Sequence, residues 1–448
     1  MLFRTRTSTA VAAATGVAFA LVVGGGVGLV HSSASSSARG KVLSAQADAA
    51  DASVAPASLA GGISTLQEHL AQQSGDERSW AALGVAYVEQ ARVTLNPSYY
   101  PRAAEALAKA VALAPGDDAA HAGLAALASA RHDFTLALRE ATTALASNAY
   151  DTGALAIRTD ALTELGMYPQ ALASALQADA TSPGVPTFTR LSYQRELRGD
   201  VPGAVALMQR ALGAATTPTD IAFVRTHLGD LARQTGRLAA AAADYAAALS
   251  ADPSTVAATA GQARVASLRG DDTTAVTLWT DVVRRAPLPE YLVDFGDLLK
   301  SLGRNSEAQQ QFAVVLGSAA LARANGVQTD LEIANFESNH GGAQSALTAA
   351  KAEWGRRHSV HVADAYAWAL HAAGLDQQAL AMSRLALHLG TADGRFLLHA
   401  AVIEHALGDD AAAKTHLTAA MRLRGMLDPL QRQLADRTLA AVTNRAAS

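Results

Sequence analysis

GRLAAAAADYAAALSADPSTVAATAGQARVASLRG, residues 236–270, is the stretch whose reading decides the fold. It opens on Gly236 and closes on Gly270. Between them stand Ala241, then Tyr245 four residues on, Ala248 three beyond that, and Pro253. Alanine, the best helix former, fills most of the rest. Glycine takes the left-handed conformation that ends a helix without steric cost. Proline has no N–H to give and forbids continuation. The stretch therefore predicts the second helix of one hairpin, a stop at Pro253, and the first helix of the next hairpin up to Gly270.

The spacing recurs along the chain. Gly166, Gly199, Gly236, Gly270 and Gly303 are separated, by subtraction, by 33, 37, 34 and 33 residues, and Gly374 and Gly408 by 34. Five residues after each stands an alanine: Ala171, Ala204, Ala241, Ala275, Ala308, Ala379 and Ala413. Four further on the side chain is often bulky, as at Met208, Tyr245, Trp279, Phe312 and Leu417. Three beyond, it is usually small again: Ala178, Ala211, Ala248, Ala386 and Ala420. Pro183, Pro253 and Pro287 fall in register where the second helix should stop. A small residue lets two helices approach, and a large one fills the gap to the next hairpin. One such hairpin cannot bury its faces alone, so hairpins must stack.

Trp80-x2-Leu83-Gly84-x2-Tyr87 and Ala308-x3-Phe312 resemble the two helix patterns of the tetratricopeptide-repeat family. The resemblance implies an all-α fold, a right-handed α-solenoid superhelix of about nine or ten helical hairpins with a C-terminal capping helix, over residues 63–448. Three departures carry expectations. From Trp80 to Ala103 is 23 residues, against about 16 in the family pattern, so an insertion is expected around Arg92 to Pro101, with Tyr99 and Tyr100 in it. Gly303 and Gly374 are 71 residues apart; one degenerate repeat should run through Ala343, Leu347 and Ala350, its glycine displaced to Gly341 or Gly342. A repeat near His132 lacks the turn glycine. Asp428-Pro429 is a good N-cap and N1 pair, opening a closing helix in which Leu430, Leu434 and Leu439 should seal the last repeat.

The first residues carry Arg4 and Arg6 and no acid, and an uncharged apolar run follows from Ala10 to Val30. That length suits either a cleaved signal peptide or an uncleaved signal-anchor transmembrane helix, and residues 1–31 are assigned to one or the other. In both cases the positive flank stays inside and the body is exported, anchored on the outer face of the cytoplasmic membrane or secreted. Gly24 and Gly28 form a GxxxG pair, a spacing expected by chance in so glycine-rich a run. Residues 32–62, rich in Ser, Ala and Gly, read as a disordered tether.

Composition excludes several classes of function. The 448 residues carry a formal net charge of -4, so nothing electrostatic favours nucleic acid. There is no cysteine, hence no thiolate nucleophile or Cys-based zinc site. No phosphate-cradling loop and no nucleophile elbow occurs, and no pair of carboxylates can be argued into acid–base geometry. Repeats occupy almost the whole body, so no cofactor and no catalytic role is expected. His358 and His361 could share a helix face, with His399 and His405 beyond, but no carboxylate completes a ligand set. Arg198-Gly199-Asp200 and Arg269-Gly270-Asp271 spell an adhesion tripeptide, yet both fall on the turn, where Asp can cap the next helix.

In the family resembled, certain first-helix positions line the concave face. Carried onto this sequence, that register implies Asp160, Tyr193, Asp230, Arg233, Arg264, Asp297, Lys300, Trp368, His371 and His405. Trp368 would be the anchor for a partner or packing between first helices. The leading expectation is an extracytoplasmic scaffold taking a peptide or protein segment in its groove. The alternatives are a self-associating envelope solenoid, marked by an exposed apolar patch, and a small-ligand protein or enzyme, which would need a deep closed pocket with convergent polar groups.

Overall fold

The structure, a computed structural model, describes residues 56–447; the segment 1–31 and residues 32–55 of the expected tether lie outside them. Among the described residues there are α-helices, one 3-10 turn and no strand. The chain opens with α1 (Pro56–Gln72). Ten hairpins follow: α2 (Glu77–Thr94) with α3 (Tyr99–Leu113), α4 (Asp118–Ala130) with α5 (Phe134–Ser147), α6 (Thr152–Glu164) with α7 (Tyr168–Thr181), α8 (Val185–Glu196) with α9 (Val201–Ala214), and α10 (Pro218–Gln234) with α11 (Leu238–Ala251). Then come α12 (Val256–Leu268) with α13 (Asp272–Arg285), α14 (Pro289–Ser301) with α15 (Asn305–Ala324), α16 (Asp330–His340) with α17 (Ala343–Trp354), α18 (Val360–Ala372) with α19 (Asp376–Leu387), and α20 (Gly394–Ala406) with α21 (Asp410–Arg422). The 3-10 turn Arg424–Met426 and α22 (Pro429–Ala447) close the array.

The repeat positions do what their sizes require. All seven alanines that follow the turn glycines are fully buried, and Met208, Tyr245, Trp279, Phe312 and Leu417 are at most 3% exposed. Tyr245 shows why. Its ring lies against Gly229 of its own hairpin and Gly261 of the next, and a Cβ on either glycine would collide with it. The large residue of a second helix thus sits in a notch made by two first helices, locking consecutive hairpins together.

The irregular repeats resolve as follows. The insertion in the first hairpin lengthens α2 to 18 residues and ends on Leu95 in the left-handed conformation; Tyr99 and Tyr100 open α3, with Tyr100 buried. His132, at φ 60°, stands where the second hairpin lacks its glycine. The long Gly303–Gly374 interval contains α15, 20 residues long, and the displaced glycine is Gly341, at φ 100°.

One boundary and one set of sealing residues differ from those read in the sequence. Helix α1 begins at Pro56, inside the stretch assigned to the tether, because Leu59, Ile63, Leu66 and Leu70 recur at helical spacing and bury against the first hairpin. At the other end, Asp428 caps α22 as expected, accepting from the Gln431 N–H at 2.8 Å while its own N–H bonds Gln431 Oε1 at 3.2 Å. The seal, however, is made by Leu427, Ala435 and Val442, flanked by Leu434 and Leu439, with Leu430 outside it. No helix among the described residues is long and apolar enough to cross a membrane.

The superhelix winds tightly enough for one turn to touch the next. The turn of the second hairpin meets the loop between α15 and α16, where Gln328 N–H donates to Arg131 O at 3.0 Å. The turn of the third meets the loop before α18, where Val360 N–H donates to the Tyr168 hydroxyl at 2.7 Å across 192 positions. Thr391 donates to Leu197 O at 2.7 Å, 194 positions away, at the fourth. Arg233 bonds Gly425 O, 192 positions on, at the fifth. Here Gly166 (φ 79°) and Gly199 (φ 72°) have a second reason to be glycine: a Cβ would strike the carbonyl oxygens of His358 and Gly390.

Candidate functional site

Because consecutive turns touch, the concave face is a lumen rather than an open groove. A cavity of ≈ 640 Å³ runs along the inner side of eight consecutive first helices, α6 to α20, and ends against the 3-10 turn and the start of α22. Its walls carry ten carboxylates, five arginines and no lysine. With histidines neutral, the lining is a formal -5 (five minus ten), as negative as the whole chain at -4. Negative charge is therefore concentrated inside.

Four of the arginines are committed. Arg357, 5% exposed, is held between Glu164 and Glu353. Arg233 pairs with Asp230 at 3.3 Å, Arg264 with Asp294 at 2.7 Å and Arg395 with Asp393 at 3.1 Å. The fifth, Arg432, donates to Leu427 O and to Ser267 Oγ, both backbone or hydroxyl oxygens. Burial alone would push Asp230 up, but the charges of Arg233, Arg264 and His227 and the Tyr245 hydroxyl, 2.7 Å away, hold it below the usual range. Asp393 is held low against its burial by Arg395.

Glu196, Glu290, Asp297 and Asp364 are in no ion pair with an arginine among the described residues. Burial pushes Glu196 up to about 7, with the Asp230 charge adding to it. Glu290 is likewise pushed up to about 7 by burial, with Arg264 opposing. Asp297 is raised furthest above the ordinary range, first by burial and then by the charges of Asp428 and Asp294. Asp364 is answered by a histidine, His399 Nδ1 at 3.0 Å.

Five of the ten residues that the register implied for the groove line this lumen: Tyr193, Asp230, Arg233, Arg264 and Asp297. Asp160, Lys300, Trp368, His371 and His405 do not. Lys300 is exposed at the end of α14. Trp368 is 7% exposed; its indole N–H donates to Asn339 Oδ1 at 3.0 Å, and its ring stacks on His399 at 4.1 Å and His371 at 4.9 Å. Trp368, on α18, packs between α16 and α20, as the packing alternative has it. His371 Nδ1 is taken up by Asp376 at 2.6 Å, and in the same way His405 by Asp410. Asp160 pairs with the buried Arg190 at 2.7 Å.

The histidine pair differs from its expectation. His358 precedes the N-cap Ser359, so it shares no helix with His361; it packs on Trp354, and His361 Nε2 lies 2.9 Å from the Tyr193 hydroxyl. Among the described residues no three His, Asp or Glu side chains converge as a metal-holding group. Both Arg-Gly-Asp tripeptides are turn elements: Asp200 caps α9 through Gly203 N–H, and Asp271 caps α13 through Thr274 N–H.

Sequence reasoning missed Glu290, Asp294 and Asp428 as lining residues. Glu290, Asp294 and Asp297 recur at i, i+4, i+7, a helix-face signal that was there to be found. Asp428 gave no local signal, since only closure of the superhelix brings it to the cavity.

A sequence model described as "Tetratricopeptide repeat" matches residues 224–255, one repeat unit. No curated protein matches the chain in sequence. Solved structures that it resembles include Pseudomonas aeruginosa pilF, at 20% identity over 46% of this chain and 90% of that one, TM-score 0.36. A thermophilic tetratricopeptide-repeat protein of Thermus thermophilus aligns at 25% identity over 43% and 97%, TM-score 0.37. The human IFIT1 dimer with m7Gppp-AAAA aligns at 13% identity over 82% and 87%, TM-score 0.46.

Proposed function

This chain is a tetratricopeptide-repeat protein, and on that premise we propose that it is a non-catalytic scaffold whose lumen takes a segment of a peptide or protein partner. Proteins of this repeat are in general interaction scaffolds. The observation that carries the reading is the convergence of Tyr193, Asp230, Arg233, Arg264 and Asp297, from four separate hairpins, on one cavity. Concave solenoid surfaces are the usual binding faces of such arrays. The proposal extends to location: Arg4 and Arg6 before the apolar run support a body lying outside the cytoplasm.

A photo-crosslinking residue at Asn335, which lines the cavity, tests this against one at Gln310, exposed on the second helix α15. In intact cells the Asn335 position should yield a protein adduct and the Gln310 position should not. Adducts from Gln310 alone would replace the lumen with the outer face. The size of the cavity favours one second reading, a small-ligand site, since its volume is that of small-molecule pockets. A small molecule co-purifying with the chain, with no adduct from Asn335, would select it.

A further inference from the structure

We propose that the floor of the lumen, where α14 faces the start of α22, is a seat for one alkylammonium or guanidinium group, supplied by a lysine or arginine side chain of the partner segment. This rests on the lumen being the binding face. Glu290, Asp294 and Asp297 lie on one stripe of α14 at i, i+4 and i+7, and all three line the cavity. Asp428, the cap of α22, lines the same end and adds its charge to theirs. Four carboxylates thus line this end of the cavity, and two guanidiniums answer part of their charge: Arg264 is bonded to Asp294 at 2.7 Å, and Arg432 draws Asp428 down.

Asp297 is the observation that points to a ligand. It is 4% exposed, and its Oδ1 has no hydrogen-bond partner. A buried carboxylate oxygen without a donor is costly. The two neighbours that could answer it do not. His340 Nε2 lies 3.5 Å from Oδ1 without hydrogen-bond geometry, and both ring nitrogens lack partners. Burial and the Lys300 charge push the His340 pKa down to about 4, so the ring stays neutral. The Lys300 charge does draw Asp297 down, but it is outweighed, and its side chain is exposed beyond the cavity. An unanswered acceptor, the neighbouring charges of Asp294 and Asp428, and apolar walls from Trp279, Leu288 and Phe336 describe a site for a cation carried on an aliphatic stem. A bare divalent ion fits less well, as no metal-holding group of three ligands is present among the described residues.

Burial and the charges of Asp428 and Asp294 favour a proton on Asp297. Seating a cation should favour the ionised carboxylate and release that proton to solvent. Atoms and charge balance without any further reactant.

The test uses the full chain and defined probes: agmatine and spermidine as free cations, and a capped alanine pentapeptide with one central lysine against the same peptide with norleucine. Calorimetry at neutral pH in two buffers of different ionisation enthalpy reads both affinity and proton release. The lysine peptide should bind more than about tenfold tighter than the norleucine peptide, as loss of one member of a buried charge pair implies. Binding should release protons, up to one per peptide bound. Asp297→Asn should abolish that advantage and the proton release, and Glu290→Gln should weaken it, whereas Glu105→Gln, on the exposed face of α3, should change neither. Equal affinity for the two peptides, affinity retained in Asp297→Asn, or binding of calcium or magnesium in place of the amines would overturn the proposal. The lumen reading fails separately. Agmatine or spermidine binding at this seat with no protein adduct from Asn335 keeps the cation site but makes a free amine its source. An adduct from Asn335 that survives Asp297→Asn undiminished keeps the scaffold and removes the seat.

Discussion

The backbone N–H of Val360 donates to the hydroxyl of Tyr168, 192 positions earlier, at 2.7 Å. Val360 is the first residue of α18, where a helix has N–H groups without intrahelical partners. A side chain from the preceding superhelical turn satisfies one of them. Tyr168→Phe should keep the ring packing and orphan that buried donor, costing about 1–3 kcal/mol in urea unfolding. Tyr150→Phe, at a ring 79% exposed, is the control and should cost almost nothing. Equal midpoints for the two variants would mean that the contact between turns is not made in solution.

Ala275 is fully buried where α13 meets its neighbours, and Thr274 beside it is exposed. Ala275→Leu should overpack that contact and lower stability by about 1–3 kcal/mol. Thr274→Leu should be tolerated, since its side chain faces solvent and its N–H still bonds Asp271. Thermal melts followed by circular dichroism compare them directly.

Trp368, on α18, ties that helix to α16 and α20, stacked on His399 and bonded to Asn339. Trp368→Ala should therefore act on the fold and cost about 3–5 kcal/mol. Affinity for the lysine peptide, measured well below the melting temperature, should remain within a few-fold of wild type. A tenfold loss of binding with an unchanged melt would make Trp368 an anchor after all.

Asp297 sets a pH dependence of known sign. In the unfolded chain it ionises near 4, but in the fold burial and the charges of Asp428 and Asp294 keep it protonated to higher pH. The folded pKa is raised, so this group's contribution to stability is full below about 4 and drains away as pH rises toward the folded value. Asp297→Asn removes the titration. Its melting temperature should match wild type near pH 4 and exceed it by a growing margin through neutral to alkaline pH. A constant difference across that range would show that Asp297 ionises normally.

The hairpins, their number and their register were written in the local pattern. A turn glycine, an alanine five residues on and a bulky residue four further can be satisfied only by a helix pair with a notch between neighbours, and Tyr245 between Gly229 and Gly261 shows that notch filled. The substitutes at His132 and Leu95 were also foreseeable as gaps in the pattern, since a turn must be made there whatever residue stands in it. Part of the inner face was legible for the same reason: a first-helix register points the same positions inward in every repeat, which is how Tyr193, Asp230, Arg233, Arg264 and Asp297 were found. That register could not tell a residue facing the cavity from one wedged between helices, as Trp368 is, because both lie on the concave side.

What the sequence by itself determined, then, is the repeating unit: its helices, their caps and the residues that bury between them, all set by interactions within some 40 positions. What only the tertiary structure decided is whether the stack stays open. Pitch is the sum of small rotations at every interface between hairpins, and no single residue encodes it. In this chain the sum brings residues about 192 apart into contact, as at Tyr168 and Val360 or Arg233 and Gly425. That closure turns a groove into a lumen, sets Asp428 against Asp297, and leaves a carboxylate inside with no partner of its own.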